Sequence, residues 1–370
     1  MRTEVVLVAG LADHDVAQEI WLASPGAVLV RHDLRELAQG IVRRWVDGEL
    51  TVLELAHGCV SCTLRLDLLP LLESLGGRVV AHLDPALEPE AVCFALREVD
   101  VRVDAVVSVV DRATWLADAT GEDDMADRGL AAADGDDRTV AQVVVGQAEF
   151  ADALVLVGDD PDPELDAVLD RLNPRAPRRD RRGLDAAALL DAVPADARRG
   201  RFDDGFGALL RGQPPLEPAH GVAVVHFTAR RPFHPMRLHD ALDVLLDGVV
   251  RTRGRVWLVS QPDTALWLES AGGGLNVGNL GCWLAAFDDW SDAPVERRLA
   301  AAADWDPEFG DRAQELVVIT RSASPDEITA VLRDALVTDE ELALADELEF
   351  ADPFAEWRDE SNRNDEMEEL

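Results

Sequence analysis

The chain has 370 residues, enough for two domains with cores of their own, and 48% of them are hydrophobic, which excludes bulk disorder. Its formal net charge is -37, and all 35 basic residues are arginines because the chain contains no lysine. Such a charge repels phosphate backbones, so basic proteins are expected as partners rather than naked nucleic acid.

Short apolar runs alternate with helical patterns through the first half of the chain. Stretches such as 64–75 and 88–98 have the apolar spacing of amphipathic helices. The alternation predicts an α/β domain over residues 1–175, built on a doubly wound, mostly parallel sheet. The runs that predict its buried strands are 4–9, 27–31, 50–55, 78–82, 104–110 and 153–157.

Residues 176–220 are rich in arginine and proline and predict a loosely structured linker that contains short helices. Six arginines fall between residues 171 and 182, the only strongly basic stretch. They indicate either a solvated face or a contact for an acidic partner.

A second, smaller α+β domain is predicted over residues 221–338. Its predicted strands are 222–228, 255–260, 266–269 and 315–320, and residues 238–246 form a helical pattern. The last segment, 339–370, holds 14 acidic residues and two arginines, which predicts a solvated acidic tail.

Neither a secretory signal nor a membrane span is predicted. The chain opens directly into an apolar strand pattern, and no apolar run reaches roughly 18 residues. Four cysteines are also too few for a disulfide scaffold of this length. The expected location is therefore the cytoplasm, with no membrane partner.

The turn after the first predicted strand is where a nucleotide-binding α/β domain carries Gly-x-x-x-x-Gly-Lys-Ser/Thr. Here the turn begins at Gly10, but Asp15 replaces the second glycine, Val16 the lysine and Ala17 the hydroxyl residue. Asp13 adds a second carboxylate where phosphate would sit. The missing donors and the added negative charge predict that nucleotide phosphates do not bind here in the usual way.

A Cys-x-x-Cys pair, Cys59 and Cys62, lies where a strand pattern gives way to a helix pattern. A helix N-terminus favours the thiolate, the form that binds metals or attacks disulfides. With His57, the pair supplies at most three of the four ligands that zinc prefers. The pattern favours zinc or another soft divalent metal, with a redox pair and two inert thiols as the alternatives.

These residues resemble the Gly-Cys-x-Cys-Cys metal motif of the CobW-type family of P-loop GTPases. Gly58, Cys59 and Cys62 match that motif, and Ser61 takes the place of its middle cysteine. In the second half, the segments 227–235, 251–258 and 309–319 resemble the C-terminal domain of the same family. The resemblance spans residues 4 to about 340 and implies a degenerate P-loop domain followed by a CobW C-terminal domain.

The family's usual work is GTP-driven delivery of zinc, cobalt or nickel to client proteins, but this chain departs from its nucleotide motifs. The segment 82–85 reads His-Leu-Asp-Pro where the family has Glu-Ser/Thr-x-Gly. The guanine-reading segment is 157–160, where only Asp160 fits. These departures imply a protein without ordinary GTPase activity.

The segments 56–62, 139–142 and 146–152 resemble, more closely, the actinobacterial branch that recruits a ribosome hibernation factor. That resemblance implies a zinc-responsive adaptor that brings a hibernation-promoting factor to ribosomes when zinc is limiting. The alternative is a metallochaperone that delivers zinc to a client protein.

The remaining cysteines and a histidine are predicted to be structural. Cys93 lies in an apolar helical pattern and Cys282 beside Trp283, so both are expected to be core thiols. His234, between Phe233 and Pro235, is expected to pack or to cap a helix.

Overall fold

The computed structural model describes residues 2–11, 15–55, 60–133, 135–210, 212–345 and 347–355. The chain forms two compact units. Unit 1 contains residues 1–202 and 212–214, and unit 2 contains residues 203–211 and 215–370. In the described segments, no helix combines the length and the apolarity that a bilayer span requires.

Unit 1 is built on one sheet, and its strands are β1 (Thr3–Ala9), β2 (Val28–Asp33), β3 (Ile41–Val46), β4 (Glu49–Glu54), β5 (Gly77–His82), β6 (Val101–Asp111), β7 (Ala153–Val157) and β8 (Arg178–Asp180). They lie in the order β4-β3-β2-β5-β1-β6-β7-β8. From β2 to β8 the pairs are parallel, while β3 and β4 extend the sheet as an antiparallel hairpin. The predicted doubly wound, mostly parallel sheet is confirmed.

Helices cover both faces of this sheet, and they are α1 (Val16–Leu22), α2 (Val60–Thr63), α3 (Leu69–Leu75), α4 (Pro89–Ala95), α5 (Trp115–Ala119), α6 (Val140–Phe150), α7 (Pro163–Leu172) and α8 (Ala186–Asp191). α1 and α8 pack on one face, against alternate valines and alanines of β1, β5, β6 and β7. α3 contacts β1 and α6 contacts β6, so the other side chains of these strands are buried as well. Burial on both faces explains why the strands read as continuous apolar runs.

The hairpin partner β3 was not predicted. Its sequence, IVRRWV, carries two arginines in the middle and lacks a continuous apolar run. The turn between β3 and β4 contains Asp47 and Gly48, both with positive φ (47° and 86°). Asp-Gly is the pair that a two-residue hairpin turn prefers, so the signal for the hairpin was present in the sequence. β4, whose residues were predicted as a buried strand over 50–55, forms one edge of the sheet with Leu50 and Val52 exposed, so the prediction of burial is wrong.

The segment predicted as a linker, 176–220, contributes to both units. Residues up to 202 belong to unit 1 and include β8 and α8, whose Leu189 lies in the core. Residues 203–211 belong to unit 2, where Arg255 donates to the carbonyls of Gly205 and Gly207 at 2.8 Å each.

Most of the arginines between 171 and 182 are engaged within unit 1. Arg171 is buried and donates to the Ala167 carbonyl at 2.8 Å. Four others pair with carboxylates: Arg175 with Asp196, Arg178 with Asp170, Arg181 with Glu19 and Arg182 with Asp159. The basic stretch therefore serves largely to neutralise acidic residues of its own unit.

Unit 2 consists of β9 (Ala223–Ala229), α9 (Pro235–Ala241), β10 (Val249–Val256), β11 (Thr264–Ala271), β12 (Gly274–Cys282), α10 (Val295–Ala303), β13 (Gln314–Thr320), α11 (Pro325–Asp334) and α12 (Asp339–Ala343). The strands form an antiparallel sheet in the order β12-β11-β10-β13-β9. α9 and α11 supply Leu238, Ile328 and Leu332 to the core on one face of the sheet. The predicted α+β second domain is confirmed, but the strand predicted over 255–260 is wrong in its bounds, because β10 begins six residues earlier and ends at Val256.

The segment predicted as a solvated acidic tail is part of unit 2 as far as residue 355. Thr338 and Glu341 form a capping box at the start of α12. Further on, Phe354 is 1% exposed and lies in the unit 2 core. Asp352 accepts hydrogen bonds from Ser260 (2.6 Å) and Gln261 (2.9 Å), which fix the backbone beside that ring.

Candidate functional site

In an open parallel sheet, ligands bind beyond the carboxyl ends of the strands. In unit 1, this edge carries Gly10 after β1, Asp33 at the end of β2, His82 at the end of β5, Asp111 at the end of β6 and Gly158 after β7. The predicted nucleotide residues Gly10 and Asp160 therefore lie on the edge where a nucleotide would bind.

The start of α1 occupies the position of a phosphate loop but offers packing groups instead of donors. Val16 is 2% exposed, and Val16 and Ala17 both lie in the core between α1 and the sheet. Asp15, with φ 57°, precedes the helix and is exposed. A Cβ on Gly10 would lie 3.0 Å from the Val109 Cβ, so a larger residue here would force Val109 to shift. Asp13 lies outside the described residues.

The end of β7, where Asp160 fits the guanine-reading motif, is arranged around an arginine. The Arg112 guanidinium donates to the Gly158 carbonyl at 3.0 Å and pairs with Asp180 at 2.7 Å. Asp160 itself is exposed. Arg112 thus links the ends of β6, β7 and β8 beside the position predicted to read guanine.

Two carboxylates at the ends of β2 and β5 are held by hydrogen bonds to neighbouring groups. Asp84 bonds to backbone N–H groups, and Asp33 pairs with an arginine. Asp84 accepts hydrogen bonds from the backbone N–H groups of Leu34 (2.7 Å) and Ala86 (2.9 Å), while its burial raises the pKa of the carboxyl. Asp33 pairs with Arg35, and the hydrogen bond from that guanidinium lowers the pKa of Asp33. Asp84 therefore fixes two turns at the position where the family's Glu-Ser/Thr-x-Gly segment would lie.

Of the three predicted metal ligands, Cys62 is the one whose surroundings can be described. It lies half-buried on α2, which continues through a π-helical turn, Leu64–Leu68, into α3. His57 and Cys59 lie outside the described residues. Across the described part of the chain, no three His, Cys, Asp or Glu side chains converge on a point where they could hold a metal. The metal site therefore stays a prediction.

A buried charged cluster, absent from the sequence-based predictions, lies under this helical run. Asp67, in the π-helical turn, contacts His32 Nε2 at 2.6 Å and pairs with Arg44. His32 and Asp67 are both buried, and Arg44 is largely so. The sequence signal was one carboxylate within the apolar pattern Leu64-Arg65-Leu66-Asp67-Leu68. The cluster ties β2 and β3 to the helix that carries Cys62.

Several residues that carry the closer resemblance have structural roles here. Thr139 and Gln142 form the capping box of α6: the Gln142 N–H donates to Thr139 Oγ1 at 3.2 Å, and Gln142 Oε1 accepts from the Thr139 N–H at 2.8 Å. Gln147 donates to the Pro85 carbonyl, and Asp152 accepts from the Val106 N–H. This part of the signature preserves the fold around α6.

Of the predictions for Cys93, Cys282 and His234, those for Cys93 and His234 are confirmed and the one for Cys282 is wrong. Cys93 is buried, and burial raises the pKa of its thiol to about 12, as expected of an inert core thiol. His234 caps α9 by accepting a hydrogen bond from the Arg237 N–H, also as predicted. The prediction for Cys282 is wrong. Its neighbour Trp283 is buried, but Cys282 ends β12 with an exposed side chain.

Comparison with known proteins places the chain in a family. Residues 222–336 match the cobalamin synthesis protein CobW C-terminal domain. The zinc chaperone Rv0106 of Mycobacterium tuberculosis is 46% identical over 391 residues, spanning 97% of this chain and 94% of that protein. Zinc-regulated GTPase metalloprotein activator 1 of Dictyostelium discoideum is 26% identical over 345 residues, spanning 86% of this chain and 72% of that protein.

A solved structure of the Zn(II)-bound YjiA GTPase from E. coli also aligns, at 14% identity and a TM-score of 0.39, over 91% of this chain and all of that one. The family assignment rests on the identity of 46% across nearly the full length of the chain, together with the C-terminal domain. The chain belongs to the CobW-type P-loop GTPase family.

Proposed function

We propose that this protein binds zinc through Cys59 and Cys62, with His57 as a further ligand, and passes it to a client protein. The observation that carries the proposal is the 46% identity, over 97% of the chain, with a relative named as a zinc chaperone. Thiolate sulfur and imidazole nitrogen are donors that zinc prefers, so the donor set fits this metal.

The proposed function does not require ordinary GTP hydrolysis. Val16 and Ala17 are buried in the core of unit 1. The chain has no lysine that could replace the missing phosphate-binding lysine. Asp15 adds a carboxylate where the phosphates would bind. Each feature weakens phosphate binding, and together they support a domain that keeps the fold of a nucleotide switch without its chemistry.

Zinc binding by matched variants tests the site. Competition with a chromophoric chelator should show that the wild type and Cys282→Ala, which lacks an exposed thiol outside the motif, bind zinc alike. The double variant Cys59→Ala/Cys62→Ala should lose zinc affinity by more than about 100-fold. Removing a residue that only hydrogen-bonds to a metal ligand costs up to about 100-fold, so losing two ligands should cost more. Unchanged zinc binding by the double variant would place the site elsewhere. In parallel, GTP with Mg²⁺ should show neither binding heat nor hydrolysis, and turnover would refute the second half of the proposal.

A second candidate function is supported by the segments 56–62, 139–142 and 146–152. In this function, the protein recruits a hibernation-promoting factor to ribosomes under zinc limitation, and Cys59 and Cys62 are the zinc-responsive site. The net charge of -37 supports it, because ribosomal proteins and hibernation factors present basic surfaces.

Sucrose gradients of zinc-starved and zinc-replete cells separate the two functions. Recruitment predicts that this protein and the hibernation factor sediment with ribosomes only in starved cells, and that the factor leaves them when this protein is deleted. If the protein stays at the top of the gradient in both conditions, recruitment is excluded and delivery to a soluble client stands.

A further inference from the structure

Helix α10 of unit 2 turns its apolar side toward solvent. Val295 is 54% exposed and Leu299 66% exposed, and Ala302 and Ala303 are exposed one turn further on. At 3.6 residues per turn these four side chains lie on one face, which we call the α10 face. A surface helix ordinarily buries such a face in the core.

Arg297, on the opposite side of the same helix, faces the protein. The Arg297 guanidinium lies 3.5 Å from the ring centroid of Phe206 and donates to the Cys282 carbonyl. Arg298 borders the α10 face beside Ala302 and is half-buried, and Ala301 alone of the helix is fully buried. α10 is therefore held through Arg297 and Ala301, and it presents Val295 and Leu299 to solvent.

An exposed tryptophan follows this face in the chain. Trp305 follows the end of α10 by two residues and is exposed, with its ring 4.9 Å from that of Trp290. Aromatic rings are enriched at the centres of protein interfaces, and small alanines let a second helix approach closely. An exposed row of apolar side chains such as the α10 face marks an interaction site more often than a lone exposed leucine does.

The charges around the α10 face select its partner. Within residues 288–308 the exposed carboxylates are Asp288, Asp289, Asp292, Glu296 and Glu308, together with Asp304, which pairs with Arg230. A second copy of the chain would bring the same acidic rim against this one, at a net charge of -37 per copy, so self-association is opposed. A helix whose apolar side is flanked by lysine or arginine complements both the apolar face and the rim.

We propose that the α10 face is a docking site for a basic amphipathic helix of a partner protein. α10 is nine residues long, about 13 Å, so it seats two to three turns of the incoming helix. The site lies in unit 2 and uses neither Cys59 nor Cys62, so this inference goes beyond the proposed zinc function and can fail without it.

The test uses the full-length protein and a labelled helical peptide of about 18 residues, with leucines at i, i+3 and i+4 spacing and lysines elsewhere. Fluorescence anisotropy at about 0.15 M salt should show binding to the wild type. Binding should weaken at least about tenfold in Val295→Ser/Leu299→Ser. Leu22→Ser is the matched control, because Leu22 is 68% exposed on α1 of unit 1, and it should bind like the wild type.

Two peptide controls separate docking from general attraction to an acidic protein. A permuted peptide of the same composition, without helical spacing of its leucines, and a glutamate-for-lysine peptide should both bind at least about tenfold more weakly. Equal binding of the permuted peptide, or equal binding by the double variant, overturns the proposal. A wild-type dimer that Val295→Ser/Leu299→Ser dissociates in sedimentation would also overturn it, because the occupant would then be a second copy.

Discussion

At the scale of single residues, the start of α1 gives the sharpest test of the missing phosphate loop. Val16→Lys restores the lysine of the motif but places a charge at a position that is 2% exposed. We expect the variant to lose about 3 kcal/mol or more of unfolding free energy, as for an uncompensated buried charge, and to gain no affinity for GTP. Urea unfolding and nucleotide titration measure the two effects.

Gln18→Lys is the control for this variant, because Gln18 is exposed on the same helix. It should change the unfolding free energy by less than about 0.5 kcal/mol. A Val16→Lys protein that is stable and binds GTP with Mg²⁺ would contradict our interpretation of α1 as a packing helix.

The buried cluster beneath the Cys62 helix provides a second residue-scale prediction. Asp67→Ala leaves His32 and Arg44 without their shared carboxylate, so it should cost about 3–5 kcal/mol in urea unfolding. Glu98→Ala removes a carboxylate from an exposed pair with Arg65 and should cost under about 1 kcal/mol. Equal costs for the two variants would mean that the cluster contributes no more than a surface ion pair.

The two kinds of residue differ in how far the sequence predicts them. The loss of the phosphate-loop lysine is visible in the sequence, because Val16 and Ala17 stand at fixed positions of a local motif. The contact between His32, Arg44 and Asp67 depends on strand pairing and on a π-helical turn that shifts the helix register. No local spacing encodes that contact, so the sequence could not reveal it.

At the scale of elements, predictions made from composition placed the domain ends incorrectly. The segment 176–220 looked like a linker because prolines and arginines dominate it, and 339–370 looked like a tail because acids do. A composition window averages over residues, whereas Leu189 and Phe354 each fix a segment by burying one side chain. The central strands of the parallel sheet were predicted well, and the segments held by single anchors were not.

The contribution of a single buried anchor can be measured at Phe354. Phe354→Ala should cost about 3–5 kcal/mol of unfolding free energy, because it removes a ring from the unit 2 core. The control is Phe287→Ala, an exposed ring of the same unit, with an expected effect below about 0.5 kcal/mol. If both variants unfold like the wild type in urea, the segment after α12 does not contribute to the core.

At the scale of the whole molecule, charge works against the folded state. The formal charge of -37 leaves many carboxylates without an arginine, and their mutual repulsion is greatest when the chain is compact. We expect the melting temperature to rise when salt is raised from about 0.01 to 0.15 M, which shortens the Debye length from about 30 to 8 Å.

Sodium chloride and choline chloride should act alike in this experiment, since screening does not depend on the identity of the cation. A melting temperature that falls with salt would mean that the ion pairs outweigh the repulsion. A rise in sodium chloride alone would indicate a specific cation site.

The free edge of the unit 1 sheet has a consequence for how the protein resists aggregation. Two copies pairing antiparallel through β4, about the midpoint of Thr51 and Val52, would set Glu49 of each copy against Glu54 of the other. Like charges directly opposite one another oppose such pairing, although Leu50 and Val52 between them favour it. The double substitution Glu49→Gln/Glu54→Gln removes this repulsion. Association of that variant is then expected to begin strand to strand at β4, between molecules whose cores are still folded.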